Sequence, residues 1–297
     1  MTIHHVTVAG GGVLGSQIAT QIALKGLPVT LYDIADETLD GAKQHVAALQ
    51  PAYQHDMRLS AADFQTGLKN LTYSADLAQA VAGADLVIEA IPEKLSIKQD
   101  FYTKLAQVAA PATIFASNSS TLLPSQLAPM TGRPDRYLHL HFANQIWLRN
   151  TAEVMGSPVT DPRVFNQVVA FAKTIGMVPI PLKKEQPGYV LNAMLVPWLN
   201  SALKLWAAGI ATPETIDKTW MIDLSSPVGP FAVLDAIGLT THYNIVVAEA
   251  SRTHDATLQL AADKLKARID ANLLGPTTGQ GFYHWPDPEF MQSDFLK

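Results

Sequence analysis

Three glycines and one aspartate form the clearest chemical pattern in the chain. In Val6-Thr7-Val8-Ala9-Gly10-Gly11-Gly12-Val13-Leu14-Gly15, a β-branched run meets a glycine-rich turn and passes into an amphipathic stretch. This spacing predicts a strand, a tight turn and a helix. Gly10 permits the turn, Gly12 lets backbone approach a diphosphate, and Gly15 lets the helix pack on the strand. The helix start, with Val13 and Leu14, offers N–H donors and a positive dipole end to phosphate oxygens. Asp33 closes the next apolar run, 18 residues past Gly15. An acid there accepts hydrogen bonds from an adenosine ribose and repels a 2′-phosphate, so the expected cofactor is NAD rather than NADP.

The elements that must hold this turn alternate short apolar runs with longer helical patterns, the mark of parallel βαβ units. Strands are expected at residues 5–9, 29–33, 86–89, 113–117, 137–142 and 178–181. Most are apolar on both faces, as when helices cover both sides of a sheet. Between Asp33 and Leu86, helical patterns near 37–49 and 60–68 exceed what a crossover needs, and such extra elements often reach over a ligand. After Gln186-Pro187-Gly188 the strand signals stop. Helical patterns then run through 189–208, 213–221, 230–252 and 256–272. Thr212-Pro213-Glu214 marks a helix start, with a hydroxyl cap, a proline in the first turn and an acid at the positive end. The expected architecture is an α/β doubly wound, mostly parallel Rossmann sheet over residues 1–186, followed by an all-helical domain over 187–297.

Composition narrows the partners. A formal net charge of -5 argues against nucleic acid, because phosphate binding needs a basic surface. The chain has no cysteine, which removes disulfide and thiolate chemistry and agrees with a reducing compartment. Met1-Thr2-Ile3-His4-His5 lacks a basic segment and a small-residue cleavage site, so no signal peptide is expected. The apolar stretch 189–210 is interrupted by Asn192, Pro197, Asn200 and Lys204, so it suits a buried helix better than a membrane span. A cytoplasmic protein without a membrane partner is expected.

Six further segments follow the glycine turn in a fixed order. They are Asp85-Leu86-Val87-Ile88-Glu89-Ala90-Ile91-Pro92-Glu93, Ala116-Ser117-Asn118-Ser119-Ser120-Thr121 and His139-Leu140-His141-Phe142-Ala143-Asn144. Pro187-Gly188-Tyr189-Val190-Leu191-Asn192, Pro227-Val228-Gly229-Pro230-Phe231 and Thr278-Gly279-Gln280-Gly281-Phe282-Tyr283 complete the series. In these segments the chain resembles the 3-hydroxyacyl-CoA dehydrogenase family over nearly its whole length. By that resemblance His141 is similar to the catalytic base and Glu153, 12 residues later, to its carboxylate partner. Ser120 matches the serine that bonds the substrate hydroxyl, and Asn192 the asparagine of the helical domain. Glu93 and Lys98 take positions near the nicotinamide ribose, with Ala90, Ile91 and Asn118 in the same cofactor-binding set. The resemblance also implies an acyl-CoA substrate, a homodimer formed through the helical domain, and a site between the two domains.

Such residue types suit the oxidation of a secondary alcohol. A neutral imidazole can take the hydroxyl proton as hydride leaves the same carbon, and a carboxylate fixes its tautomer. Ser120 and Asn192 can hold the oxygen as charge develops. The chain departs from the family after the base, where Ala143, Gln145, Trp147 and Arg149 replace its usual pattern, and at Thr121. Two alternatives therefore stand beside a short-chain L-3-hydroxyacyl-CoA. One is a free hydroxy acid of the sugar-acid or carnitine type, its carboxylate paired with Arg149. The other is an NAD-binding protein without turnover. Arg58, Lys69 and Lys43 are the cations of the insertion that could meet CoA phosphates.

Overall fold

Runs that are apolar on both sides pair into one sheet. The computed structural model describes residues 2–297; Met1, first residue of the segment read for a leader, lies outside them. Eight strands form the sheet: β1 (Val6–Ala9), β2 (Val29–Tyr32), β3 (Leu71–Ser74), β4 (Leu86–Glu89), β5 (Ile114–Ser117), β6 (Tyr137–Phe142), β7 (Thr151–Gly156) and β8 (Val178–Pro181). Their order is β3-β2-β1-β4-β5-β6-β7-β8. Every neighbouring pair is parallel except β6 and β7. The order reverses direction between β1 and β4, and the carboxyl ends of strands at such a switch point are where open α/β sheets bind ligands.

The expected doubly wound, mostly parallel sheet is present, with two strands more than anticipated. β3 was hidden because only its first residue, Leu71, is buried and the rest are half-buried or exposed. β7 was hidden because Glu153 interrupts its apolar run. The stretch between β2 and β4 holds β3 and the helices Asp36–Ala48, Gln50–Met57 and Ala61–Gly67.

The chain divides into two compact units, the first ending at Val190 and the second spanning Leu191–Lys297. The first reaches four residues beyond the expected boundary at 186, because its last residues are bonded into it. The Tyr189 hydroxyl donates to the Ser119 carbonyl, and the Val190 N–H donates to Glu153 at 2.9 Å.

The second unit is built of helices Leu191–Ala207, Pro213–Asp223, Pro230–Ile237, Leu239–Thr253 and Ala256–Asp270. Thr212 caps the second of these, accepting from Thr215 N–H at 3.2 Å. The single helix expected over 230–252 is two helices bent by 107°, broken at Gly238, whose φ of 90° a continuing helix cannot accommodate. Two buried carboxylates explain motifs that sequence alone left as pattern. Asp217 accepts from Phe231 N–H, Ala232 N–H and the Tyr283 hydroxyl, at 2.9, 3.0 and 2.9 Å. Asp235 accepts from Phe282 N–H and Tyr283 N–H at 2.8 and 2.9 Å. A Cβ on Gly229 would lie 2.3 Å from Asp217, and one on Gly281 2.2 Å from Asp235, so both positions need glycine. Among the described residues, no single helix is long and apolar enough to cross a membrane.

Candidate active site

At the switch point, the glycines behave as their spacing requires. Gly10 has φ 111°, and a Cβ there would lie 2.5 Å from the Ala90 carbonyl oxygen at the end of β4. A Cβ on Gly15 would lie 1.9 Å from the Gly10 oxygen. Beside Gly12 nothing stands within 4 Å, and no side chain caps the helix Val13–Leu24 that follows. An open space in front of an uncapped helix N-terminus fits a diphosphate, so these residues suit NAD. Asp33 accepts from Gly11 N–H and from Ile34 N–H, each at 2.7 Å, which fixes the carboxylate beside the turn. Sequence reasoning missed His45, whose Nδ1 lies 3.2 Å from the Gly11 carbonyl oxygen. Its spacing of three from Ala42, which packs on Gly11, is the signal that could have found it.

On the other side of β4 lies a chain of three polar groups. Antiparallel pairing of β6 with β7 sets His141 directly opposite Glu153. His141 Nδ1 is 3.0 Å from Glu153 Oε2, and His141 Nε2 is 3.0 Å from Ser120 Oγ. His141 and Glu153 are only 8% and 5% exposed. A carboxylate only accepts, so Nδ1 carries the hydrogen and the basic lone pair of Nε2 faces Ser120. Such a chain can take or give one proton at Nε2 while Glu153 stabilises the imidazolium.

The loop that carries Ser120 is tied on all sides. Glu93 Oε1 accepts from Ser119 Oγ at 2.5 Å, Ser120 N–H at 3.0 Å, and Thr121 N–H and Oγ1 at 2.9 Å. Burial alone would raise the Glu93 carboxyl, but the bonds from Ser119 and Thr121 and the Lys98 ammonium outweigh it and bring it down to about 2. Lys98 lies inside the protein. It is 1% exposed, with its ammonium 2.5 Å from Glu89 and 3.2 Å from Glu93. Lys98 thus holds Glu93 in place, bridging a fully buried carboxylate, Glu89, and a partly exposed one, Glu93. Asn118 likewise has its side-chain oxygen engaged, accepting from Phe142 N–H at 2.9 Å. His141, Glu153 and Ser120 come together. Asn192 belongs to the second unit, one residue into helix Leu191–Ala207.

The segment after β6, where the sequence departs from the family, is anchored to two helices. Gln17 accepts from Gln145 N–H at 2.8 Å, and Trp147 donates to Asp56 at 2.8 Å while its ring lies 5.0 Å from that of Tyr53. Arg149 is exposed, and Lys43 is paired with Asp40 at 2.8 Å.

His139, two residues before His141 and so on the same strand face, also escaped the sequence reasoning although period-two alternation points to it. Burial, followed by the Lys98 charge, pushes its imidazole down to about 3. A histidine depressed from 6.5 stabilises the fold fully above pH 6.5 and loses that contribution as pH falls toward 3, because the unfolded chain takes up a proton that the folded chain refuses. Between pH 7 and 5 the first unit should therefore lose about 2 kcal/mol. In the second unit His242, pushed down to about 4 by burial, acts in the same direction, while Asp217, raised to about 6 by burial, opposes it. Thermal unfolding at pH 7 and pH 5 should show the midpoint falling by several degrees; an unchanged midpoint would count against a neutral His139.

Comparison with known proteins follows the same division. The family model described as 3-hydroxyacyl-CoA dehydrogenase, NAD binding domain, matches residues 5–186, and the C-terminal domain of that family matches residues 188–285. Mitochondrial hydroxyacyl-coenzyme A dehydrogenase of Homo sapiens is 33% identical over 288 residues, covering 95% of this chain and 91% of that protein. A probable 3-hydroxybutyryl-CoA dehydrogenase of Bacillus subtilis (strain 168) is 30% identical, covering 97% of this chain and 99% of its own length. A solved structure described under substrate-directed dual catalysis of dicarbonyl compounds by diketoreductase is 53% identical, with a TM-score of 0.92, covering 96% of this chain and 100% of its own.

Proposed function

The chain belongs to the 3-hydroxyacyl-CoA dehydrogenase family of NAD-dependent oxidoreductases acting on CH–OH groups, and from that premise we propose that it interconverts a short-chain L-3-hydroxyacyl-CoA and its 3-ketoacyl-CoA. The observation that carries this reading is the chain Ser120–His141–Glu153 beside an open dinucleotide turn. In oxidation, His141 takes the hydroxyl proton at Nε2, Ser120 holds the oxygen, and Glu153 balances the imidazolium. In reduction the same nitrogen returns the proton. NAD supplies the hydride acceptor; Gly10, Gly12, Gly15 and Asp33 are the residues that would hold it.

A second reading is a free dicarbonyl or hydroxy-acid substrate without CoA. It is favoured by the 53% identity to a diketoreductase and by the charge of the insertion, where acidic residues outnumber Lys43, Arg58 and Lys69. Coenzyme A brings several phosphate charges, which such a surface attracts poorly. The test is NADH oxidation with acetoacetyl-CoA and free acetoacetate in parallel. Faster turnover of the thioester supports the first reading, and turnover confined to the free ketone replaces it with the second.

A homodimer through the helical unit completes the proposal. Met194, Ile210, Ile222 and Leu224 are exposed apolar residues of that unit, available to be covered by a second copy. Light scattering at micromolar concentration should give twice the mass of one chain; a monomer would remove this part.

A further inference from the structure

Tyr189 touches the reacting pair from behind. Its ring lies parallel to that of His141, with centroids 4.5 Å apart and 15° between the planes. It is fully buried, and its backbone has φ 57°, a left-handed conformation that a bulky residue adopts only when its surroundings enforce it. Its hydroxyl meets two groups, the Ser119 carbonyl and His139 Nδ1, the latter at 2.9 Å. His139 Nε2 in turn lies 3.1 Å from the Tyr137 hydroxyl.

The direction of these bonds follows from counting hydrogens. A carbonyl only accepts, so the single hydroxyl hydrogen of Tyr189 goes to Ser119. His139 Nδ1 must then be the donor to the Tyr189 oxygen. A neutral imidazole has one N–H, so His139 Nε2 accepts from Tyr137. Every polar atom of this buried chain is satisfied in one arrangement alone.

We infer that Tyr189 is a positioning residue: its ring backs the His141 imidazole while its hydroxyl, oriented by His139, fixes the Ser119–Ser120 backbone that places Ser120 Oγ at 3.0 Å from His141 Nε2. The peptide of Ser120 is held from two sides, by Tyr189 at the preceding carbonyl and by Glu93 at its own N–H. Tyr189 also begins the two-residue stretch that ends the first unit, where Val190 N–H bonds Glu153. Both partners of His141 are thus set by consecutive residues. The inference rests on the reading of His141 and Ser120 as the reacting pair.

Two substitutions separate ring from hydroxyl. Tyr189→Phe keeps the stack and removes the bond to Ser119. With the ketone that the enzyme turns over, kcat should fall about tenfold while KM for NADH stays within about twofold. Tyr189→Leu removes the stack as well, and kcat should fall about 100-fold. Wild-type kcat in Tyr189→Phe, or a parallel loss of NADH affinity and kcat, would overturn the inference. A second measurement needs no variant and no turnover. Nitrogen NMR of the wild-type protein at pH 7 should show His139 as the neutral Nδ1–H tautomer, and the Nε2–H tautomer would overturn the inference. If His141→Ala keeps full activity, the reading of the reacting pair fails, whereas the NMR result stands or falls independently.

Discussion

Replacing His141 with alanine is expected to lower kcat by about 1,000-fold and to leave NADH binding intact. A positioned acid–base group contributes roughly 10² to 10⁴ in rate, and this imidazole is bonded to both Ser120 and Glu153. The dinucleotide turn draws on neither β6 nor β7, so removing the imidazole leaves the Gly10–Gly15 backbone unchanged. Steady-state kinetics and a fluorescence titration with NADH separate the two effects. Retention of more than a tenth of the wild-type kcat would show that another group moves the proton. Glu153 acts through the same ring, so its removal together with His141 should add little to the loss.

A methyl group at Gly15 should weaken cofactor binding by a different route. Its Cβ would sit 1.9 Å from the Gly10 carbonyl oxygen, which is backbone and cannot rotate away. The helix must lift off the strand, at a packing cost of about 1–3 kcal/mol, and its N–H donors leave the phosphate position. Gly12→Ala provides the contrast. It meets nothing within 4 Å, so the protein should remain as stable as wild type while the methyl group occupies space the diphosphate needs. Gly15→Ala should lower both the unfolding midpoint and NADH affinity, the latter about 100-fold or more. Gly12→Ala should lower affinity alone. Unaltered NADH affinity in both variants would remove the turn from the cofactor site.

The glycine turn was legible because its geometry is local: four glycines within six residues, a strand before and a helix after. The all-helical character of residues past 190 was equally readable from periodicity. Legibility failed where a residue's meaning depends on a distant partner. Lys98 looks like a solvated helix residue until Glu89, on a neighbouring strand, is seen to pair with it inside the protein. Tyr189 and His139 are 50 residues apart, and nothing in either local pattern shows that one hydroxyl joins them. β7 was lost for a related reason, since the carboxylate that breaks its apolar run is the one bonded to His141. Gly238 was read as one residue of a long helix, because a single glycine costs a helix only about 1 kcal/mol and does not announce a sharp bend.

The reversal of direction between β6 and β7 bears on how this chemistry is inherited. A parallel neighbour would have needed a crossover of a dozen or more residues, usually with its own helix, to bring a carboxylate alongside the imidazole. Here the two lie 12 residues apart on adjoining strands, closed by one short loop. Closing so short a loop carries little entropic cost, and the pairing register alone sets the partners face to face. Imidazole and carboxylate therefore form one module within residues 137–156. A recombination event that exchanges this stretch carries both together, and with them the loop that Gln17 and Asp56 anchor.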